Sequence, residues 1–210
     1  MVQVNVVDDA VAPAEALRMV HQTPAPDAFV SLWLPTAHLA TRDPVDLAIR
    51  AASGDGAHIA AYLVAESCPL TPTEPDRTVP PGTRTPGFAQ IALLRRPAGQ
   101  MRDDFLAAWL DLHTQVAIET QSTFSYTQNV AVRPLVATGA ATPDPPLDPI
   151  DGIVEECFPA AAMTDPHVFF DAFGDDERLA AHTSRMVAST SKFLDYDRLD
   201  VIPTSRYRFS

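Results

Sequence analysis

The sequence predicts an α+β protein in which two related ferredoxin-like halves form an α+β barrel. Three observations predict this fold: the halves share an internal repeat, a proline-rich linker at 69–87 divides the chain, and the second half alternates strand-like and helix-like segments in the order βαββαβ. The N-terminal half, 1–68, is expected to be a degenerate copy, because one strand of the motif is missing from it. The C-terminal half, 88–210, carries the complete motif.

The repeat is short but continuous. Residues 27–37 align without a gap on residues 151–161 and share Asp, Val, Pro and Ala. An Asp-Pro pair follows in each half, at Asp43-Pro44 and Asp165-Pro166, and this pair is typical of a helix N-cap and first turn. Each half is therefore expected to contain a strand, a short turn and a capped helix.

The individual elements are predicted from hydrophobic spacing. Alternating apolar residues predict strands, and apolar residues three and four apart predict helices. In the C-terminal half the expected strands are 88–95, 122–132, 151–158 and 200–209, and the expected helices are 103–119, 165–173 and 175–193. In the N-terminal half the expected strands are 2–7, 29–34 and 58–65, and the expected helices are 13–21 and 44–52.

Composition and charge exclude several classes of function. Apolar residues make up 46% of the chain and charged residues 20%, which is typical of a folded globular protein. The net charge of -12 argues against nucleic acid as a partner, since phosphate groups carry the same sign. No stretch is apolar enough to span a membrane, the first residues do not resemble an export signal, and Cys68 and Cys157 form no disulfide pattern, so a cytoplasmic location is expected.

The sequence contains no motif for a bound cofactor or metal. It has no phosphate-binding glycine loop and no dinucleotide or nucleophilic-serine motif, and its six histidines show no metal-ligand spacing. Lys192 is the only lysine, so Schiff-base chemistry would have a single nucleophile. We therefore expect no cofactor and no metal.

Five short motifs occur in order in the C-terminal half. They are Leu93-Leu94-Arg95-Arg96-Pro97, Phe105-x3-Trp109-x3-His113, Tyr126-x-Gln128-Asn129, Asp151-Gly152-Ile153-Val154-Glu155 and Arg206-Tyr207-Arg208-Phe209. In these motifs and their order, residues 88–209 resemble the EthD-domain family of the dimeric α+β barrel superfamily, whose members are ferredoxin-like. Glu156 and Cys157 depart from the family pattern, because an apolar residue and a large aromatic are usual there.

The resemblance implies a fold and a class of activity. It implies two ferredoxin-like sheets that face each other around a cavity, supplied by a homodimer or by the two halves of one chain. It also implies a cofactor-independent enzyme that binds a small hydrophobic or aromatic carbonyl or polyketide-like compound and catalyses dehydration, isomerisation or cyclisation. A non-catalytic small-molecule-binding or assembly protein and a cofactor-free monooxygenase are the alternatives, and the sequence leaves the question of catalysis open.

His113 is the main catalytic candidate. It borders the apolar stripe of the helix expected at 103–119, and the resemblance places it at the family's helix histidine. An imidazole can donate or accept a proton near neutral pH. The alternative is a core histidine that is hydrogen bonded to a backbone carbonyl. Trp109, on the same helix, is a candidate for substrate binding.

The strand expected at 122–132 supplies three further candidates. Tyr126 shares one strand face with Phe124 and Gln128, because side chains two residues apart point the same way. Tyr126 is expected to polarise a substrate carbonyl as a catalytic residue, and Phe124 and Gln128 are expected to bind the substrate. The alternative for Tyr126 is that it is simply a good strand former.

The strand expected at 151–158 carries the acidic candidates. Asp151 and Glu155 share one face, and Glu156 points to the other. Glu155 is expected to assist proton transfer as a catalytic residue, since burial brings a carboxylate into the range where it exchanges protons. Asp151 is a candidate for substrate binding, and its alternative is a residue that starts the strand.

Overall fold

Seven strands of the chain form a single curled sheet. The computed structural model describes residues 1–54, 57–72, 79–135 and 149–209. The strands are β1 (Val2–Val6), β2 (Ala28–Leu32), β3 (Ala61–Leu70), β4 (Phe88–Leu94), β5 (Ser125–Leu135), β6 (Gly152–Phe158) and β7 (Asp200–Phe209). All neighbours are antiparallel, in the order β2-β1-β7-β4-β6-β5-β3, and the sheet curls into a half-barrel. The fold is thus a mixed α/β fold.

The four C-terminal strands occupy adjacent positions in this sheet, in the order β7-β4-β6-β5. β4 and β5 are both antiparallel to β6, which lies between them, so they run parallel to each other. The helical segment 102–120 connects β4 to β5, and a second helical segment connects β6 to β7 across β4. This is the split β-α-β arrangement that the order βαββαβ predicts.

The N-terminal strands extend the same sheet at both of its edges. β1 pairs with β7 and β2 pairs with β1 at one edge, while β3 pairs with β5 at the other. The expectation of two tandem ferredoxin-like halves is therefore not confirmed, because the described part of residues 1–72 forms no separate sheet. Pairing on the outer strands satisfies backbone groups that would otherwise be exposed at the edges of the C-terminal sheet.

Helical segments connect the strands along the chain. They are α1 (Leu39–Ser53), α2 (Arg102–Leu106), α3 (Thr114–Thr120), α4 (Pro166–Phe169) and α5 (Asp176–Thr190), with a π-helical segment at Ala107–His113 and 3₁₀ segments at Asp9–Leu17, Ala160–Met163 and Tyr196–Arg198. Asp165 caps α4, since its Oδ1 accepts hydrogen bonds from two backbone N–H groups, and Pro166 occupies the first helical position as predicted. The start predicted at Pro44 is wrong, because α1 begins at Leu39 and encloses Pro44.

The helices that follow β4 and β6 cover one face of the sheet, which we call the helix face. Its main core combines Phe105 and Trp109 from the helical layer with Tyr126 and Val154 from the strands. Gly152 permits this packing, because a Cβ atom there would lie 2.5 Å from two ring carbons of Trp109. The opposite face is the inner face of the curled sheet.

Candidate functional site

A cavity of about 400 Å³ lies on the inner face of the sheet. Side chains of β1, β2, β3, β5, β6 and β7 line it, together with six residues outside the strands: Met1, Trp33, Thr71, Pro72, Val79 and Thr85. This volume lies in the range of sites that bind small molecules. The cavity thus combines residues from both ends of the chain.

Strand alternation decides which side chains reach the cavity. On β6, Glu155 lines the cavity, whereas Val154 is buried in the core of the helix face and Gly152 faces Trp109. On β5, Thr127 pairs with Glu155 and also lines the cavity. The inner face of both strands is therefore polar and their helix face is mostly apolar.

A buried ion pair lies at the floor of the cavity. Arg206 Nη1 is 3.5 Å from Glu155 Oε1, and the two residues are 2% and 5% exposed. Two amides complete the shell of the carboxylate. Gln3 Nε2 donates to Glu155 Oε2 at 2.7 Å, and Asn5 Nδ2 donates to Oε1 at 3.3 Å. The carboxylate of Glu155 is thus fixed by one guanidinium and two amide groups.

Further hydrogen bonds fix the two arginines of β7. Arg206 Nε donates to Thr85 Oγ1 at 3.2 Å, and its Nη1 donates to Ser125 Oγ at 3.4 Å. Arg208 Nε donates to Gln3 Oε1 at 2.7 Å. Gln3 therefore links Arg208 to Glu155, and the floor presents two guanidinium groups in fixed positions.

The two edges of the sheet approach each other across the cavity. Trp33, which follows β2, donates a hydrogen bond from Nε1 to Glu66 Oε1 of β3 at 3.1 Å. Cys68 of β3 lines the cavity and is exposed, with its Sγ 3.9 Å from Thr127 Oγ1. Cys157 is buried, and burial raises the pKa of its thiol to about 12. The chain therefore carries one accessible thiol, and it lies in the cavity.

His113 lies outside this cavity, at the end of the π-helical segment in the helical layer. Its Nδ1 is hydrogen bonded to Ser189 Oγ at 3.0 Å, and its ring packs against Phe193 with 5.0 Å between centroids. Burial lowers the pKa of the imidazole to about 4, because the charged form loses its hydration. His113 is therefore neutral near pH 7.

The other candidates on the helix and on β5 also pack in the helix-face core. Trp109 and Tyr126 belong to one buried cluster. Gln128 donates from Nε2 to Thr114 Oγ1 at 2.8 Å and accepts from Ser67 Oγ at 3.1 Å. Burial, and then the nearby carboxylate of Glu156, raises the pKa of Tyr126. These side chains lie on the face of the sheet opposite to Glu155, so the structure does not bring His113, Tyr126 and Glu155 together.

Glu156 points into the helix face, as strand alternation predicts. It pairs across strands with Tyr126 and Gln90 and is 8% exposed. Burial raises the pKa of its carboxyl group to about 8. Among the described residues its Oε1 has no hydrogen-bond partner. At neutral pH this side chain is therefore mostly a neutral acid.

The two remaining candidates lie at the ends of strands. Asp151 precedes β6, where its carboxylate accepts hydrogen bonds from Arg96 N at 3.0 Å and from Arg96 Nη1 at 2.8 Å. Phe124 precedes β5 and forms a small buried cluster with Ala89 and Cys157. Neither residue lines the cavity.

Comparison with known families identifies part of the chain. Residues 97–196 match the family model described as EthD domain. This segment is an EthD domain. No curated protein matches the chain in sequence. The EthD domain supplies Ser125, Thr127, Asn129 and Glu155 to the cavity, and the remaining lining residues lie before or after it.

In the described parts of the chain, no cluster of three or more His, Cys, Asp or Glu side chains is placed to hold a metal ion. Among the described helices, none is long and apolar enough to cross a membrane.

Sequence reasoning missed the cavity residues that lie outside the EthD domain. Gln3 and Asn5 alternate with Val2, Val4 and Val6 on β1, and this pattern indicates a strand with one polar face. Arg206 and Arg208 alternate in the same way on β7. A polar face on a buried strand is the signal that could have identified them, since buried polar groups need partners.

Proposed function

We propose that this EthD-domain protein binds a small hydrophobic or aromatic carbonyl compound in the inner-face cavity and catalyses cofactor-independent acid-base chemistry on it, such as dehydration, isomerisation or cyclisation. One observation carries the proposal: the Glu155–Arg206 pair is buried at the floor of a cavity large enough for a small molecule. A buried ion pair contributes little net stability, because desolvation offsets the attraction between its charges. A role in binding and catalysis gives a reason for its position.

The polar floor supports proton transfer next to a carbonyl group. The bond to Glu155 Oε2 is short, at 2.7 Å, whereas the contacts to Oε1 are 3.3 and 3.5 Å long, so Oε1 is the oxygen more easily released to accept a proton. In the proposed step a proton leaves the carbon beside the carbonyl and binds Glu155 Oε1. The electron pair moves to the carbonyl oxygen, where the guanidinium group of Arg206 stabilises the negative charge. Return of the proton to another carbon completes an isomerisation.

Several apolar side chains of the cavity lining suit the apolar body of such a compound. Trp33, Leu70, Pro72 and Val79 line it together with the polar floor. An indole ring offers a flat apolar surface on which a planar ring can pack. The cavity therefore combines oriented polar groups with apolar side chains, as small-molecule sites generally do.

The catalytic roles predicted for His113 and Tyr126 imply chemistry on the helix face instead. There the side chains of Trp109 and Tyr126 pack in the core, and Gln128 is already hydrogen bonded on both sides of its amide. These roles stay predictions. We favour the inner face, because its polar groups line open space.

Solvent deuterium exchange tests the proposal and separates the two faces. The protein is mixed in D₂O with a panel of aromatic ketones, and the signal of the protons beside the carbonyl is followed by NMR. We expect accelerated exchange, which Glu155→Gln reduces by about a hundred- to ten-thousand-fold. Glu119→Gln, at an exposed residue of α3, is the matched control and retains the wild-type rate.

Two outcomes would count against the proposal. Absence of acceleration with every ketone would remove the catalytic part. Loss of exchange in His113→Gln, with full exchange in Glu155→Gln, would assign the chemistry to the helix face.

A non-catalytic binding protein is the second candidate, and one observation favours it. Both oxygens of Glu155 already accept hydrogen bonds, so the carboxylate can serve to position Arg206 without moving a proton. A ligand that binds without any exchange, and whose affinity falls in Arg206→Gln, would establish this candidate.

A further inference from the structure

Two charged residues of the cavity, Arg208 and Glu66, form no ion pair among the described residues, and Glu66 accepts a hydrogen bond from Trp33 at the far edge of the sheet. Four charged residues line the cavity, namely Glu66, Glu155, Arg206 and Arg208. Glu155 and Arg206 neutralise each other. Among the described residues Arg208 forms no ion pair, and its side chain donates from Nε to the neutral amide oxygen of Gln3. The protein has 27 acidic and 15 basic residues, so an arginine without an acidic partner inside a cavity is unexpected.

The floor of the cavity has more free hydrogen-bond donors than acceptors. The carboxylate oxygens of Glu155 already accept bonds from three donors. On Arg206, Nε and Nη1 have partners, while Nη2 bonds to no described residue. Likewise, neither terminal nitrogen of Arg208 bonds to a described residue. A guanidinium carries five N–H donors and no acceptor, so the complement of this surface is a group rich in acceptors.

The spacing of the two arginines suits one acidic group. They are two residues apart on β7, so their side chains leave the same face of the strand about 7 Å apart. Arg206 is buried and held on three sides, whereas Arg208 is exposed at the cavity and anchored through Nε alone. The two terminal nitrogens of such an arginine match the two oxygens of a carboxylate.

We infer that the ligand of this cavity is an acid, a small organic carboxylate whose carboxylate group is bound by the terminal nitrogens of Arg208 with Arg206 beside it. This inference rests on the proposed function of the cavity as the ligand site. It adds the charge of the ligand and names Arg208 as the residue that selects for it.

The accessible thiol of Cys68 reports occupancy of the cavity without knowledge of the natural ligand. The rate of alkylation of Cys68 by iodoacetamide is measured with 4-acetylbenzoate and with 4-acetylbenzamide, two aromatic ketones that differ in the charge of one group. Cys157 is buried and serves as the internal reference. We expect the acid to protect Cys68 at a concentration about ten- to a hundredfold lower than the amide, which is the usual effect of a charged hydrogen bond.

Variants assign this difference to Arg208. In Arg208→Gln the acid and the amide should protect Cys68 equally, because the amide makes no charge-dependent contact. Arg185→Gln removes the same charge from an exposed position on α5 and should keep the wild-type difference. A thermal unfolding curve of each variant confirms that it is folded. Arg208 is exposed, so its replacement is tolerated better than that of the buried Arg206.

The outcomes separate this inference from the proposed function. Equal protection of the wild-type protein by acid and amide would overturn the inference and leave the cavity as a ligand site. An unchanged preference for the acid in Arg208→Gln would overturn the assignment to Arg208. Absence of protection by both compounds up to their solubility limits would count against both the inference and the cavity as the site for such ketones.

Discussion

Glu156→Gln is expected to stabilise the protein above neutral pH. Glu156 is buried on the helix face, and burial raises the pKa of its carboxyl group from 4.5 to about 8. Above pH 4.5 the unfolded chain releases this proton, while the folded protein keeps it. Ionisation therefore favours the unfolded state, and a neutral amide of the same shape removes this effect.

The magnitude is clearest between pH 6.5 and 8. At Glu156 the folded state binds nearly one proton more than the unfolded state at pH 6.5 and about half a proton more at pH 8, so the free energy of unfolding falls as pH rises. His113 contributes the opposite slope only between pH 4 and 6.5, because burial lowers its pKa to about 4. From pH 6.5 to 8 the Glu156 contribution alone amounts to a loss of about 2 kcal/mol.

The assay is urea-induced unfolding of wild type and Glu156→Gln at several values between pH 6.5 and 8. The difference in the free energy of unfolding between the two proteins should grow by about 2 kcal/mol over this interval, with the variant more stable. Glu119→Gln, at an exposed residue, should show the same pH dependence of the free energy of unfolding as the wild type. Parallel curves for wild type and Glu156→Gln would show instead that Glu156 is already ionised in the folded protein at pH 6.5.

Three further predictions concern other buried residues. Glu155→Gln should lower the free energy of unfolding by about 3 kcal/mol at pH 7, because it leaves the charge of Arg206 buried without its partner. An unchanged free energy of unfolding in urea would show that the pair is not buried in solution. Acidification from pH 6.5 to 4 lowers the free energy of unfolding of the wild type, because the buried imidazole of His113 stays neutral while that of the unfolded chain binds a proton. His113→Gln should make this loss smaller by about 3 kcal/mol. An equal loss in variant and wild type would contradict this. Gly152→Ala should cost about 1–3 kcal/mol by contact with the Trp109 ring, and Trp109→Phe should relieve part of that cost; strictly additive effects in a double-mutant cycle would argue against the contact.

Strand alternation made the pairing of faces predictable. From the sequence, Tyr126 and Gln128 share one face of β5, and Glu155 and Glu156 point to opposite faces of β6, as the cross-strand pairs of the structure show. Alternation alone does not tell which face encloses a cavity. That depends on where the helices and the N-terminal strands lie, and these positions come from packing over the whole chain.

The residues of the cavity floor were not predictable from local pattern. Gln3 and Glu155 are hydrogen bonded although 152 positions separate them in sequence. The pairing of β1 with β7 creates this contact, and no turn or short loop specifies such a pairing. The repeat between 27–37 and 151–161 indicated a second ferredoxin-like half, whereas β2 instead extends the edge of the one sheet.

A crystal structure with a bound ligand would show directly whether the inner-face cavity is the ligand site. Crystals are soaked with the compound of the ketone panel that protects Cys68 best. We expect electron density for the ligand in the inner-face cavity, with an oxygen within hydrogen-bond distance of Arg206 or Arg208. Density between the helices and the sheet, in contact with His113 and Tyr126, would contradict it and place the functional site on the helix face.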